Sequence, residues 1–152
     1  LFIIFAIIFN LQAKDMKNHS TNYFDAFIEV SEDCTATKGE MPPQKNEEKS
    51  VATLQFEMLF EKPYVYTSDE VLFACFASKN GISQNEWDSE YENFFSKGQP
   101  CFRASPLTKR YGWGVHANAE GKIAIYGVET EEYKTFAQAS KKTWKAMRNK
   151  KA

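Results

Sequence analysis

The stretch Tyr111-Gly112-Trp113-Gly114-Val115-His116-Ala117-Asn118-Ala119-Glu120-Gly121-Lys122-Ile123-Ala124-Ile125-Tyr126-Gly127-Val128 decides the fold. Its residues alternate with a period of two on either side of 118–121, which predicts a β-hairpin closed by a short glycine-containing turn. The same alternation sorts Arg110, Gly112, Gly114 and His116 to one side of the first strand, and Tyr111, Trp113 and Val115 to the other, apolar side. Upstream, Tyr23-Phe24-Asp25-Ala26-Phe27-Ile28-Glu29-Val30 alternates well enough to add an N-terminal strand.

Between these strands the signals are helical. Residues 31–49 are polar, hold Gly39, Pro42 and Pro43, and read as a long mobile loop. Ser50 can cap a helix running to about Glu61 and stopped by Pro63, although Leu54, Phe56, Met58 and Phe60 also fit a strand. Thr67-Ser68-Asp69-Glu70 is a capping box, in which the Thr oxygen and the Glu carboxylate satisfy orphan backbone donors. The apolar helix after it, Val71 to Ala77, has little polar face and belongs at the centre. Ser83 with Glu86 forms a second such box. Trp87, Tyr91, Phe94 and Phe95 then make an apolar stripe, and Gly98 is placed to end that helix in the left-handed conformation. The last segment reads as a helix with Tyr133, Phe136, Ala137, Ser140, Trp144 and Met147 on one face. Its end carries Lys141, Lys142, Lys145, Arg148, Lys150 and Lys151 without an acid, a favourable charge cluster for a helix C-terminus. The expectation is α+β: a small antiparallel sheet, N-terminal strand plus C-terminal hairpin, packed against three or four helices.

A chain of 152 residues is ordinarily one domain, and one this size folds without disulfides or metal. An apolar fraction of 43% with 15% aromatics excludes a disordered or collagen-like chain. Nineteen basic against twenty acidic residues give a formal charge of −1, which excludes a strongly basic nucleic-acid-coating protein. Leu1 to Leu11 is apolar and uncharged but too short to span a membrane alone. It reads as an apolar leader or an over-extended reading frame (residues 1–15) before a single globular domain (16–152) that starts at Met16. The other reading is a clipped secretory signal in residues 1–13. Cys34, Cys75 and Cys101 are odd in number and widely spaced, poor material for a secreted disulfide framework, so a cytoplasmic protein with no membrane contact after Met16 is expected.

Most catalytic and cofactor signatures are missing from the sequence. There is no phosphate-loop or dinucleotide fingerprint, no paired-cysteine or paired-histidine metal spacing and no nucleophile elbow, so neither cofactor nor metal is expected. Two enzymatic constellations remain open: a nucleophilic Cys101–His116 pair flanking one loop, and an acid/base pair among Asp25, Glu29, Glu32 and Asp33. One run stands out from the rest. Residues 95–116 contain no acid, and combine Lys97, Arg103, Lys109 and Arg110 with Tyr111, Trp113 and His116. Guanidinium forks beside aromatic faces suit a phosphate, a carboxylate or a stacked base. Arg110, Arg103 and His116, with Trp113 and Lys109, are therefore the candidate ligand-binding residues.

Asn22-Tyr23-Phe24-Asp25, Pro63-Tyr64 with Tyr66-Thr67-Ser68-Asp69, the run 95–116, Tyr126-Gly127-Val128-Glu129 and Lys145-Ala146-Met147-Arg148 together resemble a family of short, mainly bacterial proteins, domain of unknown function 6157. The resemblance covers about Thr21 to Ala152 and implies an intracellular single-domain protein, with no activity, cofactor or catalytic residue to carry over. Three functions stay in contention. The first is a binding module for an anionic small molecule or nucleotide at 97–116, monomeric or homodimeric and without nucleic acid. The second is an enzyme, and the third a protein-interaction module without a small-molecule site. Convergence of Arg103, Arg110 and His116 on one cleft favours the first two; their scatter favours the third.

Overall fold

The computed structural model describes residues 19–150, so the expectations for residues 1–15 and for a start at Met16 lie outside the described residues. The chain runs β1 (Ala26–Glu29), α1 (Val51–Leu59), α2 (Ser68–Lys79), α3 (Trp87–Phe94), α4 (Pro106–Lys109), β2 (Trp113–Ala117), β3 (Ile123–Gly127), α5 (Glu131–Ala139) and β4 (Lys142–Lys145). Single 3-10 turns fall at Gln84–Glu86 and Phe102–Ala104. The strands lie in the order β3-β2-β1-β4. The α+β class, the N-terminal strand and the hairpin are as the sequence implies.

The sheet and the C-terminal segment differ from expectation, and the described residues form five helices where three or four were expected. The sheet is mixed, because β4 pairs in parallel with β1 while β1–β2 and β2–β3 are antiparallel. β4 also occupies residues expected to continue the last helix. α5 ends at Ala139, and Ser140 takes extended backbone angles (φ −68°, ψ 141°). β1 leaves one edge unpaired by the hairpin, and exposed backbone donors and acceptors there recruit a further strand. Residues 142–145 satisfy them in the register Phe27↔Thr143. β3 and β4 consequently run parallel at opposite edges, and α5 must cross the sheet between them, as parallel strands require.

The crossing divides the molecule into layers. On one face of the sheet Ile28, Val115 and Ile123 meet the main core of Phe56, Leu59, Val71, Phe73, Tyr91, Phe95, Phe102 and Leu107, all buried. On the other face lie Phe27 and His116, under α5. α1 is capped by Ser50, whose side chain accepts from Thr53 N. Both bonds of the Thr67 capping box are made: Glu70 N donates to Thr67 Oγ1 at 3.2 Å and Thr67 N to Glu70 Oε1 at 2.8 Å. The neighbouring Asp69 carboxylate accepts from Thr21 N, Thr21 Oγ1 and Ser20 Oγ, tying the first described residues to the start of α2.

The second expected box is not a cap. Ser83 Oγ turns to the side chains of Asn85 and Glu86 instead of to backbone, and α3 begins only at Trp87. Gly98 does not take the left-handed conformation; α3 ends at Phe94, with Phe95 closing the last turn. The loop after β1 is held rather than mobile around Gly39 and Glu40. Trp113 Nε1 donates to Glu40 O at 2.8 Å, Glu40 N to Tyr111 O at 2.9 Å and Gly39 N to Glu129 Oε1 at 2.9 Å. Gly112 makes this docking possible: its φ is +80°, and a Cβ there would collide with the Lys38 carbonyl.

Gly112→Ala is therefore expected to lower unfolding free energy by at least ~1–2 kcal/mol in urea titrations, from the left-handed backbone alone. Gly98→Ala, with open space at its Cβ and ordinary φ, is expected to be neutral or to stabilise by up to ~1 kcal/mol. A reversed order of the two variants contradicts this loop docking.

Candidate functional site

The cations expected to bind a ligand do not converge, which counts against a small-molecule site built from residues 97–116 and on that criterion alone favours an interaction module. Arg103 lies along β4: its Nε donates to Lys145 O at 2.8 Å, its carbonyl accepts from Met147 N at 2.8 Å, and its guanidinium sits 5.7 Å from the Trp144 ring centroid. It covers the C-terminal end of the outer edge of β4. Arg110 caps the C-terminus of α4 with its backbone and leaves its side chain exposed. Lys109 gives its carbonyl to Asn149 Nδ2 at 2.8 Å. Trp113 is 8% exposed and packs on Phe56 and Phe60 in the main core, on the opposite face of the sheet from His116.

The proposed pairs are not assembled either. Cys101 Sγ lies 3.3 Å from the Tyr23 hydroxyl and accepts from Arg103 N, whereas His116 has its own partners beneath α5. Among the acids, Asp33 clamps the C-terminal segment through Asn149 and Lys150, and these bonds with that from Ser31 hold its carboxyl well below the usual range. Glu32 is exposed, and Glu29 ends β1. Asp25 alone faces His116.

Around His116 a different set gathers. Phe136 of α5 stacks on the imidazole at 3.9 Å between centroids and 18° between planes. Tyr64 stands edge-on to it at 90° and places its hydroxyl 2.9 Å from Nδ1 and 3.1 Å from the Tyr126 hydroxyl. Nε2 has no hydrogen-bond partner among the described residues, and His116 lines a cleft of about 260 Å³. Asp25, Thr135, Ala139, Ser140 and Lys141 complete its lining, and the Ser140 hydroxyl is buried without a partner among the described residues. Burial lowers the His116 pKa below 6.5 and the Asp25 charge partly opposes it, so the ring is neutral at pH 7. Burial and the Tyr126 hydroxyl push the Tyr64 phenol well above 10, so it stays protonated.

Backbone geometry marks the same place. Three non-glycine residues have positive φ among those described: Asp25 (48°), Glu61 (61°) and Tyr64 (60°). Two of the three hold side chains against His116. Left-handed backbone costs roughly 1–2 kcal/mol for a residue with a Cβ, and such strain gathers at functional sites. Asp25 and His116 are visible in the sequence as titratable residues. Tyr126 is recoverable from the hairpin register, which opposes it to Gly114 and so puts it on His116's face. Tyr64, Phe136, Ser140 and Lys141 have no local signal that announces this role.

Among the described residues no three His, Cys, Asp or Glu side chains are placed to share a metal ion. Within the same residues no helix is long and apolar enough to cross a membrane.

Two outcomes follow from these placements. Arg110→Ala should change stability by less than ~0.5 kcal/mol, whereas Trp113→Ala should cost ~3–5 kcal/mol in chemical denaturation. The lowered His116 pKa gives stability that is complete above pH 6.5 and declines as pH falls from 6.5 through the folded-state pKa, since the unfolded imidazole takes its proton first. Unfolding free energy of wild type minus that of His116→Gln, measured at each pH, should fall across this window and be flat above it.

Residues 18–152 match a family described as Family of unknown function (DUF6157). No curated protein and no solved structure matches the sequence.

Proposed function

The chain belongs to the DUF6157 family, to which no function is attached, and we propose that it is a binding module for a small polar acid held in the His116 cleft. The observation that carries this reading is the imidazole with Nδ1 engaged and Nε2 free, flanked by two residues in left-handed backbone. A preformed cleft with a few convergent polar groups is the usual form of a ligand site. Its lining suits a ligand with two ends. Lys141 is placed to meet an anionic group, Asp25 a hydroxyl or amine, and Nε2 with the Ser140 hydroxyl the atoms between. The anionic ligand expected from residues 97–116 is thereby moved to the cleft under α5, with only His116 kept from the original set. An intracellular site belongs to the same reading, and the free thiols of Cys34, Cys75 and Cys101 support it.

A second reading, proton transfer at Nε2, is favoured by the Tyr126–Tyr64–His116 chain of hydroxyls and ring nitrogen. The two readings share one experiment. Titration of the ¹⁵N-labelled protein with glycerate, serine and phosphoglycerate should move the Ser140 amide and the His116 ring nitrogens saturably. His116→Ala should weaken the best probe about tenfold, the weight of one good hydrogen bond. Conversion of the bound probe selects catalysis over simple binding. If none of the probes perturbs the cleft at about 10 mM, well above ordinary weak-ligand affinity, the reading falls.

A further inference from the structure

A second opening lies far from this chemistry in the chain, between α1 and α2. It has a volume of about 290 Å³, and Leu54 and Met58 of α1 face Ala74 and Cys75 of α2 across it. The side chains explain the gap. α2 presents only small groups here, so the long α1 side chains have nothing to interdigitate with, and close packing is interrupted. Methionine suits such a wall because its unbranched thioether adapts to what fills the space. Burial pushes the Cys75 thiol up to about 12, which keeps it a neutral, unreactive part of the floor.

The mouth is charged unequally. Glu57 is held by Lys49, with Nζ 2.9 Å from Oε1. Lys62, on the same rim, makes no ion pair or side-chain hydrogen bond among the described residues. An apolar floor with one uncommitted cation complements a short hydrocarbon ending in a carboxylate. We propose that the α1–α2 groove binds a small apolar carboxylic acid, its chain on Leu54, Met58, Ala74 and Cys75 and its carboxylate at Lys62. This site shares no residue with the His116 cleft, so each reading stands or falls without the other.

The test uses the full chain labelled with ¹³C-methyl methionine, with hexanoate and its neutral isostere hexanamide as probes. Hexanoate should shift the Met58 methyl saturably and leave those of the exposed Met41 and Met147 in place. Lys62→Gln should weaken hexanoate about three- to fivefold, the weight of one partly exposed ion pair, and leave hexanamide unchanged. Ser78→Phe, made at an exposed lining position, should block both probes without disturbing the core. The proposal is overturned if the Met58 methyl does not respond to hexanoate. It is equally overturned if Lys62→Gln binds hexanoate as wild type does, or if hexanoate still binds after Ser78→Phe.

Discussion

Phe27 is the residue on which the arrangement depends. It sits in the strand flanked on both sides, is fully buried, and meets Tyr133 edge-on at 5.0 Å and Phe136 at 5.7 Å. Full burial of such a ring is worth about 1.5–3 kcal/mol, and the edge-to-face contact with Tyr133 adds ~0.5–1.5 kcal/mol. Both partners lie on α5, so this one side chain fixes where the helix crosses the sheet. The neighbouring strand yields to it: a Cβ at Gly114 would lie 2.5 Å from the Phe27 ring and 2.6 Å from that of Tyr133. With α5 fixed there, Phe136 has one place to go, over the imidazole of His116. The chain then leaves the helix beside the vacant edge of β1, where β4 forms. The cleft and the mixed sheet are consequences of the same packing.

The two strained residues beside His116 have a common anchor. Asp25 N donates to Asn118 O and Tyr64 N to Ile123 O, each at 2.9–3.0 Å. Both acceptors belong to the hairpin turn and the first residue after it, and Asn118 Oδ1 itself accepts from Glu120 N and Lys122 N. A rigid turn thus holds two unfavourable backbone conformations, one on each side of His116. Asp tolerates the left-handed region better than most residues, because its short side chain can satisfy local donors. Tyr gains nothing comparable from local bonding. Its compensation is the hydroxyl bond to the imidazole and the ring's edge-on contact with it.

What the sequence makes legible is what is local. Ser50 and Thr67 announce helix starts through bonds to residues three positions on, and the hairpin turn announces itself within four residues. The C-terminal segment is legible only as far as Ala139. Trp144 and Met147 continue the helical spacing of Tyr133 and Phe136, and the competing claim on them comes from Ala26 to Glu29, at the far end of the chain. The residues of the acid-free run from 95 to 116 are drawn apart for a related reason. Composition shows that Arg103, Arg110 and Trp113 are close in sequence, yet a 3-10 turn, a short helix and a glycine at φ +80° send them to a strand edge, to solvent and into the core. The positions of Tyr64 and Ser140 depend on contacts that no short window contains.

The hydroxyl chain determines what His116 can offer. Tyr64 has one proton to share between Nδ1 and Tyr126. If Tyr64 donates to Nδ1, Tyr126 donates to Tyr64 and Nε2 carries the ring's proton into the cleft. If Nδ1 carries the proton instead, Tyr64 accepts it and donates to Tyr126, and Nε2 is a bare acceptor. Both arrangements satisfy Nδ1 and Tyr64, so the ring can meet a donor or an acceptor without moving. Half-burial disfavours the charged ring, which would donate at both nitrogens. In the proposed site charge recognition falls to Asp25 and Lys141, while the imidazole supplies direction and not charge. A neutral ring between them lets a ligand with two ends align its own charges, where a fixed imidazolium would favour the anion alone.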